Sequence, residues 1–323
     1  MKPREQFQRA INFQKPTARL PMVEWAGWWD KTHHRWQKDG LPTHLRGEDL
    51  VGYFGLDHLH CIHGGPGYAN MNAPTEKGYD EIRHYLFTDE RIVAAQEQAR
   101  QLSDAHNRGE VIVRMWLDGF FWFPRKLLGI ETHLYAFYDQ PALMHRMNQD
   151  LADFGLRLME AVFPILTPDM VGFAEDMSYN HGPMLSHSQF KEFLLPYYNQ
   201  LIPYIKTHTT CWVDTDGDVT QMIPWLLDAG VQGIYPLERQ AGVDIAEIRK
   251  KHPHLLMLGA FDKMVMSKDE TAIRGEFERL LPVMKGGGFI VSMDHQTPPE
   301  TPLGNYWAYL KLYEEFCARA WVG

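Results

Sequence analysis

A chain of 323 residues with 45% hydrophobic and 23% charged residues has the balance of a globular protein that buries a large core, and its length suits one α/β barrel as readily as two ordinary domains. A formal net charge of −9 without any Lys/Arg-rich run excludes the basic footprint that grips a phosphate backbone, so nucleic acid is not expected as a partner. No stretch reaches the roughly 18 consecutive apolar residues of a membrane span. The opening MKPREQFQRAINFQKP reads as a polar, amphipathic helix and not as a signal peptide, which predicts a cytoplasmic protein.

In chain order, the first strand candidate is LPMVEW (20–25), followed by an excursion over 26–56 whose Trp28, Trp29 and Trp36 are predicted to wall or cap a cavity mouth. DHLHCIH (57–63) is the second strand candidate and 89–106 the first clear long helix. From there short apolar runs alternate with helical patterns: strands at 111–117, 170–176, 211–216, 231–237, 255–261 and 288–293, helices at 142–164, 187–206, 218–229, 243–251, 269–284 and 302–319. Ser188, Asp218 and Ser267 (with Glu270 three residues on) are the predicted helix caps, and Gly230 closes the helix that Asp218 opens. This alternation of eight strand and helix units, with no linker to split it, predicts a single α/β domain over residues 1–323, a (β/α)8 TIM barrel with an N-terminal helical and loop excursion over its mouth. Cys61, Cys211 and Cys317 stand far apart without CxxC spacing, which excludes a disulfide framework or zinc finger and leaves them as small buried hydrophobes.

A barrel interior is apolar, so acids and histidines at the C-terminal tips of strands point to an active-site mouth. Here they recur: Glu24 after PMV, Glu175 and Asp176 after VGFA, Asp214 and Asp216 after CWV, Glu238 after GIYPL, Asp262 after LGAF, and Asp294 with His295 after FIVSM. Gathered around one cavity they would repel each other unless a metal, a cationic substrate or shared protons held them together. Asp262 also fits a helix cap. His60, His63, His181 and His187 read as ordinary surface histidines.

The run DTDGDVTQMIPWLLDAGVQGIYPLERQAGVDIAEIRKK, then LLMLGAFDK, then KGGGFIVSMDHQTPPETPLGNY, resembles the C-terminal half of the uroporphyrinogen decarboxylase superfamily. LDGFFWFPRKLLGIETHLYAFYDQPALMHRM is similar to its middle region and PREQFQRAINFQKPTARLPM to its N-terminus, so the resemblance extends from about residue 2 to residue 317. It implies a TIM barrel and one of two chemistries: cofactor-free decarboxylation, or zinc-dependent methyl transfer between a corrinoid and a thiol. Where the decarboxylases carry Arg-Gln-Ala-Gly-Arg-Tyr, whose arginines pair with substrate carboxylates, this chain has Glu24-Trp25-Ala26-Gly27-Trp28-Trp29. A polycarboxylate would therefore be repelled where it should be clamped. His295 keeps the position of the decarboxylases' late histidine.

Where the methyltransferases bind zinc through His-x-Cys and a later Cys, the matching positions read Asp214-Thr215-Asp216 and His295. The resemblance thus implies an oxygen and nitrogen site for zinc or another divalent ion at Asp214, Asp216 and His295. Asp176 and Glu24 are the further acids, placed as catalytic residues with His295, and Trp28, Trp29 and Glu238 as the cofactor-binding side of the cavity. On this reading the chain is a metal-dependent methyltransferase or demethylase acting on a small molecule, with the corrinoid carried by a separate protein. The alternatives are a decarboxylase using His295 and an aspartate as proton donors, and a tetrapyrrole- or corrinoid-binding protein whose pocket draws on the chain's 10 tryptophans and 14 tyrosines. The decarboxylase branch also suggests a homodimer.

Overall fold

The computed structural model describes residues 2–67 and 71–320. Its strands are β1 (Leu59–His63), β2 (Ile112–Asp118), β3 (Met170–Ala174), β4 (Ser178–Tyr179), β5 (Gly182–Pro183), β6 (Thr210–Asp214), β7 (Gly233–Tyr235), β8 (Leu256–Phe261) and β9 (Phe289–Met293). The chain divides into two compact units, Met1–His60 with Arg108–Ile112 and Ile234–Gly323, and Cys61–Asn107 with Val113–Gly233.

In the second unit β2, β3 and β6 lie side by side and parallel, with Asp118 opposite Ala174 and Ala174 opposite Asp214. All five residues of β3 are buried, as parallel strands covered by helices on both faces must be. Gly233 belongs to this packing: a Cβ there would overlap the Trp212 ring. The long helix Pro141–Val162 turns Leu143, Met144, Met147, Leu151, Phe154, Leu158 and Met159 inward, the 3.6-residue stripe of a helix laid on a core. The helix expected over 187–206 is interrupted by a π segment at Phe190–Leu194, just before Pro196, which has no N–H to close an ordinary turn. Its cap is Ser186, not Ser188, because Ser186 accepts from Gln189 N while the Gln189 side chain returns to Ser186 N. The two-residue hairpin β4–β5 follows β3.

In the first unit β8 and β9 run parallel from Met257 opposite Phe289 to Phe261 opposite Met293, again wholly buried. Asp269 rather than Ser267 caps the helix Glu270–Lys285, accepting from Ala272 N. Seven of the eight expected strand segments form strands. The eighth, 20–25, is buried as expected at Leu20, Met22 and Val23 but is not a strand. Its amide donors are taken elsewhere: Leu20 N by Cys317 O, Met22 N by the Asp57 carboxylate, Val23 N by the Tyr313 hydroxyl and Trp25 N by the Ser292 hydroxyl. With its donors spent on side chains and on the carbonyl of Cys317 in the C-terminal helix it has no ladder to offer.

The 26–56 excursion contains two helices, Asp30–Lys38 and Glu48–Tyr53. Trp36 does not face an opening. It is fully buried, its ring 4.5 Å from Tyr306 and 5.6 Å from Phe54, its indole N–H donated to Thr301 O. Among the described residues no helix is long and apolar enough to cross a membrane.

Candidate active site

Each unit carries its own set of strand-end residues. In the first unit, Asp294 and His295 follow β9. Asp294 is fully buried and its carboxylate accepts from Arg239 N at 2.9 Å and Lys263 N at 3.2 Å, with Lys263 Nζ 3.7 Å away. Lys263 Nζ also donates to Glu238 Oε1 at 2.8 Å. One cation thus joins acids that follow β7 and β9, while backbone amides from both neighbouring loops converge on Asp294. Burial pushes the Asp294 carboxyl up to about 6, against the pull of Lys263. Asp262 does what its turn suggests and caps its own segment, accepting from Met264 N.

His295 stays partly exposed beside this network. Its ring stands 6.1 Å from Trp25, edge to face, and 6.3 Å from Trp29. Trp29 is 47% exposed, a large aromatic face open to a ligand, whereas Trp25 is anchored by its N–H to Met293 O and by the Tyr235 ring at 5.1 Å. Trp28 turns the other way, onto Trp36, Phe54 and Tyr306. Glu24 accepts from Tyr309 OH at 2.9 Å, Ser292 Oγ at 3.0 Å and Met293 N at 3.4 Å. These donors favour the carboxylate, but burial outweighs them and lifts its pKa to about 7, so Glu24 can hold or release a proton near neutrality.

In the second unit, Glu175 was expected among the cavity acids and is not one. It is fully buried and accepts from Phe120 N at 2.9 Å, Phe121 N at 2.7 Å, Trp122 N at 3.3 Å and the Tyr198 hydroxyl. It ties the start of the helix Trp122–Leu128 to the end of β3, satisfying amides that have no partner inside the helix. Asp176, next in sequence, is partly exposed and has φ 44°. Few non-glycine residues adopt that conformation, which costs about 1–3 kcal/mol and concentrates at functional sites. Its carbonyl accepts from Arg125 at 2.9 Å, and its N–H and that of Glu175 both point to Asp214 O. Asp214 is buried and Asp216 partly exposed. Between them Thr215 is buried, accepting from Met177 N and touching Ser178 Oγ, and Asp216 O accepts from Ser178. Gly217, at φ 82°, lies so close to Tyr179 that a Cβ would stand 2.6 Å from its backbone. The hairpin thus fixes the turn that carries both aspartates.

Lys263, Ser292 and Tyr309 were not anticipated. Lys263 lay beside a residue read as a cap, and the other two sit within apolar runs that read as core. A further group brings together Glu48, His58 and His60, whose ligand atoms all lie within 4.8 Å of one another; His60 had read as an ordinary surface histidine. A cavity of about 440 Å³ in the second unit is lined by Arg83, Arg146 and Arg157 among others, but these already pair with Asp150, Asp80 and Asp89.

Parallel strands alternating with helices, with acids and a histidine following the strand ends, define an α/β protein of the TIM-barrel class. The chain belongs to the uroporphyrinogen decarboxylase (URO-D) family, whose sequence pattern matches residues 94–316, more than half of its length. No curated protein sequence matches. Among solved structures it is similar to a methyltransferase from Methanosarcina mazei, with a TM-score of 0.66 and 13% identity over 98% of this chain and 99% of that one. It is also similar to a Listeria monocytogenes protein assigned as a vitamin-B12-independent methionine synthase, with a TM-score of 0.48 and 12% identity over 96% of this chain and 99% of that one. The first likeness shows the fold the sequence predicts.

Proposed function

We propose that this chain is a methyltransferase- or demethylase-type enzyme that removes a methyl group from a small ether or amine and passes it to a corrinoid held by a separate protein. Glu24 carries this reading. Where the family's decarboxylases clamp substrate carboxylates with arginine, this chain has an acid, held by Tyr309 and Ser292, and a tryptophan, Trp28, packed among aromatic rings. A substrate with many carboxylates is disfavoured there. The methyltransferase from Methanosarcina mazei, on the same fold, agrees with the reading.

On this reading Asp214, Asp216 and His295, the positions that match the zinc ligands of the family's methyltransferases, offer a divalent ion, zinc by preference, two carboxylates and an imidazole. Bound there, it would supply Lewis acidity to the oxygen or nitrogen that gives up its methyl group. Asp176, held in its unusual conformation by Arg125 and the Asp214 carbonyl, positions substrate. Glu24 donates the proton that the demethylated oxygen or nitrogen takes up. Trp29 and Glu238, the latter fixed by Lys263, form the side that receives the corrinoid, while Trp28 packs into the aromatic cluster away from it. On this reading residues 1–323 act as one (β/α)8 domain, in the cytoplasm and as a homodimer.

The test is the metal content of untagged protein by elemental mass spectrometry, with Asp214→Ala and His295→Ala variants alongside, and spectral change of added cob(I)alamin on addition of methylated ethers and amines. An ion lost in both variants, with methylation of the corrinoid by wild type only, supports the reading. Protein whose zinc content is the same in wild type and both variants, yet which releases CO2 from a carboxylic acid, turns it to the second reading, cofactor-free decarboxylation, which the retained His295 and the near-neutral Glu24 carboxyl favour.

A further inference from the structure

Glu48, His58 and His60 lie within the first unit at the start of β1, whereas Glu238 and His295 follow the ends of β7 and β9. Glu48 opens the helix Glu48–Tyr53, which Leu50 and, just beyond it, Phe54 bury in the core. His58 is fixed through its carbonyl, which accepts from Ile112 N. Two residues on, His60 projects from the same side of the extended chain, and the two imidazoles stack at 5.5 Å with 14° between their planes. Both turn Nδ1 toward the one carboxylate, His58 at 2.7 Å and His60 at 3.4 Å. His58 Nε2 lies the other way, 4.0 Å from where a Gly52 Cβ would stand.

The geometry points to a second metal site: Glu48, His58 and His60 bind a divalent transition ion of the zinc class that staples the excursion helix to β1. Two imidazole nitrogens and a carboxylate oxygen are borderline donors that favour zinc, copper or nickel over magnesium or calcium. Glu48 is 57% exposed, so its carboxylate can turn to close three donors around an ion, with water on the open side. On uptake each Nδ1 presents its lone pair to the ion, and any proton it carries passes to Nε2 of the same ring or to solvent. Its place at the N-terminal end of a strand marks it as a site for stability and not for turnover.

This site is independent of the proposed catalytic ion, and the test keeps the two apart. Metal-stripped His295→Ala and Asp214→Ala proteins are titrated with Co2+, read by visible absorption, and with Zn2+, read by calorimetry and thermal unfolding. Glu48→Gln and, separately, a His58→Ala/His60→Ala double variant are then added to each. One ion per chain should remain in the parent variants, with nitrogen-ligated Co2+ bands and a higher Tm on adding Zn2+. Affinity should fall at least about tenfold, a loss typical of disturbed metal contacts, in both sets of added variants, with the Tm rise lost. Parent variants that bind no ion, or binding left unchanged by both added sets, would overturn the inference. Failure of the catalytic reading looks different: wild type and His295→Ala then bind the same number of ions.

Discussion

Gly119 and Glu175 are fitted to each other. A Cβ at 119 would overlap the Glu175 carboxylate, which fills that space to reach the amides of Phe120, Phe121 and Trp122. Gly119→Ala should therefore destabilise the fold by about 1–3 kcal/mol through overpacking. Glu175→Leu strands three buried amide donors, each worth about 1–3 kcal/mol, and should cost more than Gly119→Ala. Urea denaturation of both variants gives the order, and a Glu175→Leu protein as stable as wild type would remove Glu175 from its anchoring role.

Asp294 makes a separate prediction because it is fully buried and partnered by Lys263 and two backbone amides. Asp294→Ala leaves those donors and a largely buried ammonium with Glu238 alone. Breaking a buried pair costs about 3–5 kcal/mol. Asp294→Ala/Lys263→Met should recover part of that loss, whereas two strictly additive effects in a double-mutant cycle would show that the residues are not coupled.

Glu24 links pH to stability. Its carboxyl is raised from 4.5 to about 7 by burial, so the folded chain holds a proton that the unfolded chain has released. That stabilisation is complete below about pH 4.5 and is lost as pH rises through 7. Glu24→Gln cannot titrate, and its stability relative to wild type should therefore rise between pH 5 and 8. A difference that stays flat across this range in chemical denaturation would mean that Glu24 is ionised throughout.

Trp36 tests whether the excursion belongs to the core. Its full burial against Tyr306 and Phe54 predicts that Trp36→Ala costs about 3–5 kcal/mol, while Trp29→Ala, at an exposed ring, stays within about 0.5 kcal/mol. Thermal unfolding of the pair decides it: equal losses would place both rings in one environment.

By itself the sequence determined the alternation of strands and helices, the acids that follow the strands and the family, because apolar periodicity and short motifs are local. Residues before 94 lie outside the matched pattern, although they carry Glu24 and Trp29. What only the tertiary structure decided concerns partners distant in the chain. The 20–25 segment is no strand because Tyr313 and Ser292, 290 and 267 residues away, take its amides. Glu175 left the ring of strand-end acids for the same kind of reason, drawn to amides 53 to 55 residues back. Glu48, His58 and His60 share no motif spacing, since a short helix and a strand must pack before one carboxylate can meet both rings. Burial and hydrogen-bond partnership are properties of the packed chain, and they decide which acids anchor the fold.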